Sequence, residues 1–176
     1  MTLCIAFREN EDVYLATDDM ITASDDLICR EHIKHVCFGD WMYVAFAGDF
    51  GPISIAKKNL LDSIKKRPKN VNAKWIYNNV GKFCVKPEGS SADFSTIVAT
   101  QDHLMTIDSD GCCIEHTSDF VAIGNGSIYA YGWRESSPVP LLNTIHSMFR
   151  GCAGRVSGVG CDVKLLRVGG GSDAEV

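Results

Sequence analysis

Apolar and polar positions begin to alternate at the third residue. Leu3, Ile5 and Phe7 fall on one face of a short run, which is the period of a strand. The polar stretch Glu9-Asn10-Glu11-Asp12 predicts a turn. Residues 13–17 predict a second strand, which ends in the carboxylates Asp18 and Asp19. Residues 20–30 are mixed and predict loop with short strands. Residues 33–38 predict a short strand, Gly39-Asp40 a turn, and residues 41–47 a strong strand closing at Gly48-Asp49-Phe50-Gly51. The first fifty residues thus predict a meander of antiparallel strands.

The period then changes. A helix is expected from Pro52, with Ile53, Ala56, Leu60 and Ile64 on its inner face. Lys57, Lys58, Lys65, Lys66 and Arg67 form its wet side, and Pro68 stops it. A second helix is expected over residues 72–84, with Ile76, Val80 and Phe83 inward and weakened by Gly81. Strand patterns return at residues 94–100, 103–108, 112–115 and 120–123. A third helix is expected from Ile128 and a fourth after Pro138, with Leu142, Ile145 and Phe149 inward. A last strand covers residues 162–168, and the glycine-rich tail is expected to fray. Helices come in pairs, so a doubly wound parallel sheet does not fit. The order fits an α+β chain of two antiparallel sheets packed face to face, with a helix pair outside each.

The composition adds bounds. The chain has 176 residues, 45% of them apolar, which suits one domain over 1–176. A net charge of −5 argues against nucleic acid as a partner. Arg8 interrupts the first apolar run, and no apolar run has membrane-spanning length, so a cytoplasmic protein with no membrane partner is expected. Eight cysteines without a CxxC pair read as buried thiols, and the histidines lack ligand spacing. Neither a metal nor a cofactor is expected.

Thr2 carries the candidate chemistry. Only Met1 precedes it, and removal of Met1 would put a hydroxyl nucleophile and an α-amine base on one residue. A model α-amine has a pKa of about 7.7–8, so much of it is neutral near neutral pH. His35 follows Lys34 and is expected to point away from it. Asp19 is expected to face solvent or to cap.

Four segments in order resemble the β-type subunits of the proteasome family, closest to the bacterial HslV-like threonine peptidases. They are Thr2-Leu3-Cys4-Ile5-Ala6 with Val13-Tyr14-Leu15-Ala16-Thr17-Asp18, then Ile33-Lys34-His35-Val36, then Ala45-Phe46-Ala47-Gly48-Asp49, and residues 122–132 around Gly124-Asn125-Gly126-Ser127. The resemblance implies the four-layer αββα fold of N-terminal nucleophile hydrolases. It also implies Thr2 as nucleophile, Lys34 as electrostatic partner, Asp18 fixing that lysine, and the Gly48 N–H as oxyanion donor. Asn125, Ser127 and Ser157 map to the remaining catalytic positions, and Ile21, Thr22 and Phe46 to the substrate pocket, which implies an apolar or mid-sized side chain before the cut. The chain departs from the family at Asn125, where the family usually has Ser, and at Gly154, where many members have Asp. The implied function is hydrolysis of polypeptides inside a chamber of stacked homo-oligomeric rings, served by an ATP-dependent unfoldase. A catalytically silent ring subunit and an amidase for a small amide are the alternatives.

Overall fold

The computed structural model describes residues 2–23, 26–29 and 33–169, with backbone alone at 21–23 and 26–29. The chain begins with the hairpin β1 (Cys4–Glu9) and β2 (Asp12–Asp18). Asn10 and Glu11 connect them with φ of 53° and 68°, the two positive values of a type I′ turn. β3 (Ile21–Ala23) and β4 (Asp26–Cys29) pair with each other. β5 (His35–Phe38) and β6 (Met42–Gly48) follow. Then come α1 (Phe50–Ser63), α2 (Ala73–Asn79) and a 3-10 turn at Gly81–Phe83. The strands β7 (Phe94–Thr100), β8 (Leu104–Asp108), β9 (Cys113–Glu115) and β10 (Phe120–Ile123) lead to α3 (Ser127–Ser136), α4 (Leu141–Ala153) and β11 (Val163–Val168).

Two antiparallel sheets carry the fold, one in the order β10-β1-β2-β11 and the other β5-β6-β7-β8-β9. The expected meander is therefore divided, with β1–β2 in one sheet and β5–β6 in the other. Burial of β1 and β2 on both faces explains this. Leu3, Ile5 and Phe7 pack with Ile145, Met148 and Phe149 of α4, while Cys4, Ala6, Val13 and Leu15 are equally buried on the opposite face. A strand buried on both faces needs a second layer. That layer supplies Tyr43, Ala45, Ala47, Ile97, Ala99 and Leu104. On its far side, Met42, Val44, Phe46 and Val98 meet Ile53, Ala56 and Leu60 of α1 and Ile76 of α2. The result is a four-layer αββα sandwich.

The helices differ from expectation in detail. α1 starts two residues before Pro52 and ends at Ser63, so Ile64 is its C-terminal cap, while its half-buried side chain packs against the core as expected. α2 is short because the chain tightens into a 3-10 turn at Gly81, a poor helix former. In the first turn of α4 Leu141 is buried as well, beside the half-buried Leu142 that packs on the same core. Cys4, Cys84 and Cys152 are buried, but Cys37, Cys112 and Cys161 are exposed, so the cysteines are not uniformly core residues.

Candidate active site

The β1–β2 register builds the first half of the site. Cys4 opposes Thr17, so Thr2 and Leu3, just before β1, lie beside Asp18 at the end of β2. The Leu3 N–H donates to Asp18 Oδ1 at 2.9 Å, and the Asp18 N–H donates to the Leu3 carbonyl at 3.2 Å. The Thr2 hydroxyl donates to Asp18 Oδ1 at 3.1 Å.

The second half comes from the facing sheet. Lys34 immediately precedes β5, and its carbonyl accepts from the Phe46 N–H at 3.0 Å. Its ammonium donates to both Asp18 oxygens at 2.8 Å and also to Thr2 Oγ1. Thr2, Asp18 and Lys34 are 4%, 0% and 7% exposed, so this is a buried ion pair. Burying two charges costs several kcal/mol each unless further bonds compensate. Here they do, because Asp18 Oδ2 also accepts from the Gly160 N–H at 2.9 Å.

Two glycines shape the surroundings. Gly48 has φ +129°, and a Cβ there would stand 2.4 Å from the Asp93 carbonyl oxygen. Gly124 has φ +88°, and its Cβ would stand 2.3 Å from the Thr2 carbonyl oxygen. The Asp49 N–H donates across to Asp93 on the β7 side, whereas the Phe46 N–H donates to Lys34 on the opposite side. Amides two apart in a strand point the same way, which puts the Gly48 N–H on the Lys34 side of β6.

A pocket of about 450 Å³ opens beside Thr2 and Lys34. Phe46, Gly48 and Asn125 line it, and Asp49, Phe50 and Asp93 extend it. The structure thus brings Thr2, Asp18, Lys34, Phe46, Gly48 and Asn125 to one place. Asn125 is exposed at the rim, and the Asp18 carboxylate accepts hydrogen bonds from Leu3, Thr2, Lys34 and Gly160. Ser127 is the first residue of α3, whose N-terminal cap is Gly126, and it does not line the pocket. Ser157 is exposed in the turn after α4 and does not line the pocket. The side chains of Ile21 and Thr22 lie outside the described residues.

Sequence reasoning missed several members. The Ser157-Gly158-Val159-Gly160 turn does reach the site, but through the Gly160 backbone, for which glycine-rich composition was the one available signal. Asp19 is 7% exposed and not solvent-facing, because the same turn covers it. Lys57 is half-buried and donates to the Ile33 carbonyl at 2.6 Å, so it is not part of the wet side of α1. His35 Nδ1 lies 3.3 Å from Thr17 Oγ1. Burial, then the positive charges of Lys57 and Lys164, lower the His35 pKa to about 4. The Cys4 thiol, beside the site, is raised well above its ordinary pKa by burial and then by the Asp18 carboxylate, with Lys34 opposing. It donates to the Phe46 carbonyl at 3.4 Å and stays a protonated, unreactive thiol.

A sandwich of this architecture with Thr2, Asp18 and Lys34 at one end defines a class, and comparison with known proteins agrees. The family model described as "Proteasome subunit" matches residues 2–138, and the chain belongs to that family. Among solved structures, the fold is similar to eukaryotic HslV from Trypanosoma brucei, with a TM-score of 0.77 at 17% identity over 94% of this chain and 98% of that one. It is also similar to Thiobacillus denitrificans BPH in complex with epoxomicin, with a TM-score of 0.73 at 18% identity over 94% and 97% of the two chains. No curated protein matches the sequence.

Proposed function

We propose that this protein is a threonine-type peptidase whose nucleophile is Thr2 once Met1 has been removed. One observation carries the proposal. The Thr2 hydroxyl is bonded at once to a buried carboxylate and a buried ammonium, at the edge of a pocket. An ordinary second residue has no need of such an arrangement.

The freed α-amine takes the hydroxyl proton, directly or through a water, as Thr2 Oγ1 attacks the peptide carbonyl carbon. The Lys34 ammonium lowers the cost of the developing alkoxide, and Asp18 fixes the lysine. The Gly48 N–H accepts the role of oxyanion donor, for which a fixed backbone amide is suited. Collapse of the tetrahedral intermediate breaks the C–N bond, and the leaving amine takes the proton back. The resulting Thr2 ester is hydrolysed by water, with the same amine as base. Asn125 sits at the rim, where a residue can meet substrate, and Ser127 and Ser157 are assigned supporting roles at most. Assembly of several copies into rings around a chamber, with polypeptide delivered by an ATP-dependent partner, extends the proposal by family likeness.

The test is turnover of a mixed peptide panel by Met1-free protein, beside Thr2→Ala and Lys34→Ala. Cleavage that falls at least about 10³-fold in both variants is expected. Cleavage that survives Thr2→Ala would overturn the proposal. Turnover of small amides alone would move the assignment to an amidase on the same site.

A further inference from the structure

Thr17 and His35 are absorbed by none of the roles above. Each is the chain neighbour of one member of the buried ion pair. Thr17 precedes Asp18, and His35 follows Lys34. Adjacent strand residues point to opposite faces, so a Thr17–His35 contact lies on the other side of the backbone from the Asp18–Lys34 contact. The two contacts link the same two strand ends, β2 in one sheet and β5 in the other.

We propose that Thr17 and His35 are positioning residues, whose contact between the two sheets sets the spacing at which Asp18 and Lys34 pair beside Thr2. The inference deepens the peptidase proposal and rests on it for its kinetic readout only.

Three observations support it. First, polar contacts bridge the sheets at this end beside the apolar packing. Cys4, Ala45 and Ala47 pack between the sheets here, and the Thr17–His35 contact and the bond from the Cys4 thiol to the Phe46 carbonyl cross the same gap. These bonds are directional, as contacts between small apolar side chains are not. Second, the strand end that carries Lys34 is fastened from outside. Lys57 of α1 donates to the Ile33 carbonyl, one residue before Lys34. Third, His35 is held neutral. Its burial disfavours the charged ring first, Lys57 of α1 and Lys164 of β11 add positive charge nearby, and Lys164 is the cross-strand neighbour of Thr17. A neutral ring keeps one nitrogen as acceptor, so it can accept a hydrogen bond from the Thr17 hydroxyl without adding a further positive charge.

The experiment uses full-length Met1-free protein and the epoxyketone epoxomicin, and follows the rate of adduct formation by mass at a temperature where every variant is folded. Thr17→Val keeps the shape of the side chain and removes its hydroxyl. Thr17→Val and His35→Ala should each slow the reaction roughly tenfold, the scale of a sub-ångström misplacement. The double variant should be no slower than the slower single one. His35→Asn, which offers an amide near the Nδ1 position, should recover most of the rate. A purely structural role would lower the thermal midpoint, leave the rate of folded protein unchanged and show no Asn rescue. Unchanged rates, or losses that multiply in the double variant, would overturn the inference. If wild-type protein takes no adduct, the peptidase proposal fails by itself and the inference is decided by thermal midpoints. Lys34→Met should then lower the midpoint less in the Thr17→Val background than in wild type, and equal losses would overturn it.

Discussion

At the scale of single residues, the buried charges set the terms. Asp18 and Lys34 are tolerable in the interior because the carboxylate collects bonds from Leu3, Thr2 and Gly160 in addition to the ammonium. His35 solves the same problem by staying neutral. Its folded pKa of about 4 lies below the ordinary 6.5, so the unfolded chain binds the proton first as pH falls. The stability it contributes is present above about 6.5 and is lost between about 6.5 and 4. Between pH 7 and 5, wild type should lose about 2 kcal/mol more unfolding free energy than His35→Asn. Urea titrations at the two pH values measure this, and equal losses would contradict the assignment. Thr2, Asp18, Lys34 and Gly48 were legible in the sequence because each sits in a short segment at family spacing. Gly160 was not, because a backbone N–H leaves no side-chain signature. Asp19 was misjudged because its burial depends on a turn some 140 residues away along the chain.

At the scale of elements, long-range caps replace local ones. Pro140 caps α4 and offers no side-chain acceptor. Glu9, at the end of β1, fills the gap, since its two carboxylate oxygens accept from the Leu141 and Leu142 N–H groups at 2.8 Å each. A carboxylate at a helix N-terminus satisfies orphan donors and meets the positive end of the helix dipole. Glu9→Ala should therefore cost about 1–2 kcal/mol, more than an ordinary surface change. Unfolding of that variant within about 0.5 kcal/mol of wild type would argue against the cap. The hairpin turn makes a second case. Glu11 holds φ of 68°, and its carbonyl rather than its side chain is used, accepting from Gln101. Glu11→Gly should stabilise the chain by about 0.5–1 kcal/mol, as read by the same titration. The order of elements was legible from periodicity, since period-2 and period-3.6 runs alternate cleanly. The partition of the first strands between two sheets was not. A buried strand shows the same small apolar residues whether its second face meets a sheet or a helix.

At the scale of the whole molecule, the site exists only where the two sheets meet. Thr2 and Asp18 belong to one sheet, and Lys34, Phe46 and Gly48 to the other or its edge. Small residues between the layers, among them Ala6, Ala45, Ala47 and Ala99, let the sheets approach closely enough for an ammonium to touch a hydroxyl across the gap. Fold and candidate chemistry are thus one feature, because the packing that buries the core also brings the charges together. In the proposed peptidase, this packing activates Thr2 as an N-terminal nucleophile. The most direct measurement is the intact mass of natively produced protein before and after epoxomicin. A chain lacking the mass of Met1 that gains one adduct is the expected result, with Thr2→Ala gaining none. A chain that keeps Met1 and takes no adduct, or a Thr2→Ala variant that is labelled like wild type, would contradict it.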